Sequence, residues 1–346
     1  MIRRIALFVA LAALVLVGAS ACSKEEPEIV ASWPAASAER VVPKPAEVPR
    51  WPLTGLEAPS AEAITARVVS VKVENSSESR PQTNLQRADV VYESVTEGGI
   101  TRFNAIFHSQ APEVVGPVRS ARLSDVDIVP QYHALFCFSG ASTPVNSKVN
   151  AAGIENLSED AGITKPFTRS SKRARPHNLY TDVPEVRAEG ERRGMPTTLS
   201  ITGFTFDKSS APTTPTVTGI DIPFSSYNKV QWSYDAETNT YLRANNGKDF
   251  MDEGTGEQLS ARNVVVLWAK YTPVASDKVG STTYDIELVG SGRATVFRDG
   301  QALNGTWEAG KDAPPRFKAE DGTEIKLGRG NTWMQVVNTT VNIAMK

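Results

Sequence analysis

Five ionisable residues gather between positions 93 and 122 of this 346-residue chain: Glu93, Glu97, Arg102, Arg119 and Arg122, with Arg80 and His177 further out. Arginine has a planar fork that grips a carboxylate or phosphate with two hydrogen bonds. Arg119 and Arg122 are three apart, so on a helix or its first turn they share a face. Three or four arginines converging beside the Gly98-Gly99 turn would make an anion site, for a phosphate, a sugar acid or a chain carboxylate. Glu93 or Glu97 could serve such a site as acid or base. The competing reading is structural: buried charges need partners, and the two glutamates could pair with the arginines to lock the fold.

The remaining reactive residues offer less. His177 lies in Arg175-Pro176-His177-Asn178, where a histidine can shuttle protons or simply hold a turn. His108 and His133 follow apolar runs and read as boundary residues. With no H-x-x-x-H spacing, no metal site is expected. Cys137 sits in ALFCF, where a small thiol packs as a hydrophobe and no neighbour would activate it as a nucleophile. Ser139-Gly140-Ala141-Ser142 lacks the G-x-S-x-G elbow. Asp125 and Asp127 are two carboxylates, too few for a calcium or magnesium site. The basic run Arg169, Lys172, Arg173, Arg175 reads as a solvated loop that could meet anionic lipid or wall polymer. Of the tryptophans in the C-terminal half, Trp268 reads as core, whereas Trp307 and Trp333 end strands and are candidates for an exposed ledge.

These residues must be carried by strands and short helices. Arg67–Val73, Ala88–Val95 and Ile100–Phe107 read as strands, the last two flanking Thr96-Glu97-Gly98-Gly99. Ser120–Val129 reads as helical up to Pro130, and Ala134–Phe138 as a buried strand. Helices are expected from Ser142-Thr143-Pro144, with Ser142 capping and proline in the first turn, and from the capping-box spacing Asp182–Glu185 to about Arg193. After Pro196 strands dominate, with Asn246-Gly247, Asp299-Gly300 and Asp321-Gly322 as hairpin turns. Asn263–Tyr271, Tyr284–Val289, Arg293–Phe297, Thr323–Leu327 and Thr332–Val337 are the clearest strands. The expectation is α+β: a mixed α/β domain over 53–200, then a β-rich domain over 215–340.

The N-terminus gives an address. Arg3 and Arg4 precede an apolar run, Ile5–Gly18, too short to be a good membrane span, and Ala19-Ser20-Ala21 ends at Cys22. Residues 1–21 read as a signal peptide. Cys22 reads as the lipidated first residue of the mature chain, although Ala19 stands where a lipobox usually has Leu. Ordinary secretion fits A-x-A as well, and an uncleaved anchor is the remaining alternative. Residues 22–52 form a proline-rich tether without apolar periodicity, spanning roughly 30 Å as a coil and about 90 Å if fully polyproline-like. Removing Arg3 and Arg4 leaves 35 basic against 39 acidic residues, a net charge of −4, which does not point to nucleic acid. With Cys22 lipidated, Cys137 has no partner for an internal disulfide.

Several short blocks recur in a familiar order. They include Pro52-Leu53-Thr54-Gly55-Leu56, Val73-Glu74-Asn75, Arg80-Pro81-Gln82, Ala88–Glu93, Glu97–Arg102, Gly116–Arg122 and Pro176–Tyr180, then Tyr241-Leu242-Arg243, Asn263-Val264, Gly305-Thr306-Trp307 and Thr332-Trp333. Across about 52–340 the chain resembles the YerB-like family of bacterial lipoproteins, with Glu74 where that family often has Asp. The resemblance implies two domains and a cell-envelope role alongside peptidoglycan synthesis or division proteins, and no established enzyme activity or cofactor. The first expectation is therefore a lipid-tethered, extracytoplasmic binding or scaffold module, held to the membrane through Cys22. An enzyme acting on an anionic envelope polymer through Arg102, Arg119, Arg122 and Glu93 or Glu97 is the alternative, and a receptor for a small anionic solute is a weaker one.

Overall fold

The first strand, β1 (Val69–Glu74), has valine at every second position. This alternation stands one residue set on each face of a sheet. β2 (Val90–Val95) and β3 (Thr101–Phe107) pair antiparallel across a turn in which Gly98 and Gly99 both take positive φ. The computed structural model describes residues 47–207, 215–276 and 282–346, so the leader, Cys22 and most of the tether lie outside it. The first half continues with α1 (Asp125–Ile128), β4 (Leu135–Phe138), α2 (Thr143–Ala151), β5 (Asn156–Ser158), β6 (Phe167–Arg169), β7 (Leu179–Thr181) and α3 (Val183–Arg192). The second half supplies β8 (Gly219–Pro223), β9 (Lys229–Asp235), β10 (Thr240–Asn245), β11 (Lys248–Asp249), β12 (Ser260–Ala261), β13 (Asn263–Ala269), β14 (Tyr271–Ser276) and β15 (Thr282–Ile286). It ends with β16 (Gly290–Arg298), β17 (Gln301–Ala309), β18 (Arg316–Ala319), β19 (Thr332–Asn338) and β20 (Ala344–Met345). The fold is α+β, as expected.

Strands from both halves share one ten-stranded sheet, in the order β18-β17-β16-β13-β19-β2-β3-β1-β4-β5. The join is parallel, β19 beside β2, with Gln335 opposite Glu93. A second sheet, β11-β10-β9-β8-β20 with β12 beside β10, comes wholly from the second half. Residues 47–346 form one compact unit.

Register sorts the central strands into two faces, because directly opposite residues of an antiparallel pair point the same way. Val73, Phe103 and Glu93 are mutually opposite, and so are Glu74, Arg102 and Ser94. Val71, Val73, Val91, Phe103 and Ala105 pack in one core with Ile220, Ile222, Trp232 and Tyr241 of the second sheet. Val90, Tyr92 and Ile106 pack on the other face with Ile128, Val145 and Val149 of the helices.

Four expectations need correction. Only Asp125–Ile128 of the 120–129 stretch is helical. Upstream, the backbone is already committed: Arg119 N donates to Lys72 O, Ser139 N to Arg119 O, and Ala121 N to Gly140 O. Thr323–Leu327 is not a strand; Glu324 bridges Lys318 and Leu327 bridges Phe206, isolated contacts in a turning segment. Trp307 and Trp333 form no ledge, since both are buried, at 2% and 0% exposure. Ser142 makes no side-chain cap for α2, which starts with Pro144 in its first turn. Asp182 does cap α3, accepting from Glu185 N at 2.8 Å.

Candidate functional site

The sheet divides the sequence-derived cluster in two. Glu93 lies on the face toward the second sheet, fully buried. It pairs with Arg243 (3.0 Å) and accepts from Thr101 Oγ1 (2.7 Å) and Gln335 Nε2 (3.1 Å). Arg80 belongs to the same side. It donates to Asn75 Oδ1 (2.9 Å), to Asn75 O (3.0 Å) and to Asn245, and sits over the Phe250 ring. Burial and the nearby Arg243 charge lower its pKa to about 10.

The other face gathers Glu97, Arg102, Arg119, Arg122 and His177. Arg122 grips Glu97 through Nη2 (2.6 Å) and Nε (2.9 Å), and Thr283 donates to the same carboxylate (3.1 Å). Burial alone would push Glu97 up, but the Arg122 guanidinium holds its carboxyl below the usual range. Arg119 Nε lies 3.1 Å from Glu74 Oε1 but out of line for a hydrogen bond. His177 Nδ1 reaches the same Glu74 carboxylate at 3.0 Å, and Ser76 Oγ donates to it at 3.1 Å. Deeper in, Lys72 pairs with Asp125 at 2.7 Å, with Asn104 and the Arg122 amide donating to the same group. Burial lowers the Lys72 pKa.

Arg102 differs from all of these. It is 7% exposed and makes no ion pair among the described residues. Its Nη1 reaches Ser120 O at 3.4 Å, and its buried Nε has no partner among the described residues. Burial, then the Arg122 charge, lowers its pKa to about 9.

The comparisons with known proteins fit these blocks to a family. The model "Protein of unknown function (DUF3048) N-terminal domain" matches residues 53–196, and its C-terminal counterpart matches 220–334. The chain belongs to the two-domain, YerB-like family. "Putative lipoprotein YerB" of Bacillus subtilis is 29% identical over 301 residues, covering 86% of this chain and 88% of that protein. A crystal structure of YerB protein from Bacillus subtilis superposes with a TM-score of 0.76 at 27% identity, over 86% of this chain and 99% of that one.

Within this YerB-like fold the other candidates find structural places. Cys137 is buried and donates to Thr181 Oγ1 (3.3 Å); burial pushes its thiol up to about 12, so it carries no thiolate near neutrality. Asp125 serves Lys72, while Asp127 accepts from Leu288 N at 2.9 Å, so the D-x-D pair is split. In the basic run, Arg169 pairs with Glu159 and Arg173 with Glu253, while Arg175 is exposed. A cavity of about 680 Å³ lies elsewhere, lined by Asn84, Lys165, Thr168, Tyr180 and Glu253 among others.

Sequence reading missed Arg243, Lys72 and Glu74 as parts of this charge system. For Arg243 a signal existed: Tyr241, Arg243 and Asn245 alternate in β10, and all three are buried.

Another buried carboxylate stands apart. Asp89 accepts from His108 N and from Ser109 N (2.8 Å) and Oγ, yet burial raises its pKa to about 6. Burial, then the Arg187 charge, lowers neighbouring His108 to about 4. The signs oppose. As pH falls from about 6.5 to 4, native Asp89 takes up its proton before the unfolded chain does, which stabilises the fold. The unfolded His108 does so before the native one, which destabilises it. Asp89→Asn should therefore make stability fall more steeply toward pH 4, and His108→Gln should make it rise relative to the parent. Urea midpoints across pH 4–7 check this; parallel profiles for all three proteins would refute the opposition.

Proposed function

We propose that this chain is a lipid-anchored, extracytoplasmic binding protein of the bacterial cell envelope, with an anion site in its N-terminal half. One observation carries the site: among the described residues Arg102 is buried with no carboxylate at ion-pair distance, while the nearby Glu97 and Glu74 are each gripped by another cation. Such a site has a cation to offer an anion, and Glu74 and Glu97, the carboxylates that act on that cation, are each held by another arginine. That favours binding over hydrolysis of an envelope polymer. The anchor rests on Arg3, Arg4, the short apolar run and Cys22, together with the name carried by the Bacillus relative. Among the described residues, which begin after the apolar run, no helix is long and apolar enough to cross a membrane. The envelope partners are wall polymer or the proteins that synthesise and divide the wall.

Two measurements test this. Cys22→Ala should move the protein from the membrane fraction to the medium; unchanged retention would defeat the lipid anchor. In the purified protein, added phosphate or carboxylate should raise the unfolding temperature, because a ligand that binds only the native state stabilises it by RT ln(1 + [L]/Kd). No response from any anion would defeat the anion site.

A further inference from the structure

We infer that the Arg102 site takes one oxyanion of a single negative charge, presenting two equivalent oxygens: a carboxylate or a phosphodiester. This rests on the anion-binding reading above and sharpens it.

Two independent observations support it. The first is charge. The site's face holds four cations, Lys72, Arg102, Arg119 and Arg122. Their partners are Asp125, Glu74 and Glu97, at 2.7, 3.1 and 2.6 Å. His177 adds no carboxylate and shares Glu74 with Arg119. One positive charge is left over, on a side chain that is 7% exposed. Glu97 and Glu74 offset it only in part, since each is shared with another arginine; a buried charge so poorly compensated is costly, and one anionic charge cancels it. A dianion would instead place an extra negative charge beside Glu74 and Glu97.

The second is donor geometry. Nη1 of Arg102 is turned to Ser120 O, an oxygen that Arg122 Nη1 also uses at 3.2 Å. Nε has no partner, and neither has Nη2 among the described residues. These two nitrogens form one edge of the guanidinium, the edge that meets two oxygens of a single group with parallel hydrogen bonds. Carboxylate and phosphodiester both carry one charge on two such oxygens.

The test is titration of the full chain in detergent by calorimetry, at matched ionic strength, with acetate, dimethyl phosphate and sulfate, in the parent and in Arg102→Gln and Arg102→Lys. Acetate or dimethyl phosphate should bind at least about tenfold more tightly than sulfate. Arg102→Gln should abolish that binding, and Arg102→Lys, which keeps the charge but loses the fork, should weaken it about tenfold. Preference for acetate identifies a carboxylate source; preference for dimethyl phosphate identifies a phosphodiester. Tighter binding of sulfate overturns the single-charge assignment while the anion-binding reading stands. Binding that survives Arg102→Gln, or no binding by any probe, overturns both.

Discussion

Arg243→Met should destabilise the protein by about 3–5 kcal/mol, because it strands Glu93 in the core without a cation. Both members of this pair are fully buried. The guanidinium lies 4.7 Å from the Phe250 ring centre, 4.9 Å from Trp333, 5.4 Å from Trp232 and 5.6 Å from Phe103. It therefore neutralises Glu93 and also fills a cage of ring faces that attract a cation. Methionine replaces much of the volume and none of the charge. Glu93 keeps its bonds from Thr101 and Gln335, but neutral donors do not offset a buried carboxylate. Glu93→Gln should cost a similar amount by stranding Arg243. The double variant should cost less than the sum by at least about 2 kcal/mol, because neither charge then remains to be compensated. Urea unfolding of the four proteins gives the cycle. A loss below about 1 kcal/mol in Arg243→Met, or additive losses, would show that the pair does not bind the halves together. Arg243 belongs to the second sheet and Glu93 to the strand that receives β19, so the pair joins segments that are 150 residues apart.

The sequence makes the strands and their hairpins legible because they are local. Alternation in VSVKVE and the Asn246-Gly247 and Asp299-Gly300 turns are written into adjacent residues, and both turn pairs take positive φ as expected. Parity is legible too, once register is known. Glu93 and Arg102 look like neighbours at nine positions' separation, yet opposite strand parity sends them to opposite faces of one sheet. No local rule supplies that register, because it depends on the length of the Thr96–Ile100 turn. The partners were less legible still. Glu74 reaches Arg119 and His177 across 45 and 103 positions, and only the assembled sheet brings them together. Trp333 looked like a strand end open to solvent, but the second sheet covers it, with Trp232 5.3 Å away. The Arg119–Arg122 spacing suggested a shared helical face. Long-range backbone pairing to Lys72 and Gly140 overrode that local preference.

Arg102→Met should have the reverse sign to Arg243→Met: it should stabilise the protein by about 1–3 kcal/mol. Among the described residues Arg102 has no carboxylate of its own, and Glu97 and Glu74 keep Arg122 and Arg119 when it is removed, so its removal strands nothing. What disappears is a buried charge whose protonated form burial and then Arg122 disfavour enough, against the smaller pull of Glu97 and Glu74, to bring its pKa to about 9. Ser120 O loses one donor at 3.4 Å but keeps Arg122 Nη1. The flanking Glu97–Arg122 and Glu74–Arg119 pairs remain, with less repulsion on their cationic members. A residue that lowers stability in the unliganded protein is expected where binding, rather than folding, explains its presence. The same substitution should remove the rise in unfolding temperature that anions give the parent, so the two proteins should converge as anion is added. The measurement is a pair of unfolding curves, with and without acetate or dimethyl phosphate. If Arg102→Met is less stable than the parent in anion-free buffer, Arg102 is part of the fold's own charge lattice and the site has no vacancy for a ligand. If it is more stable and blind to anions, the cost of this arginine is the cost of keeping a binding site ready.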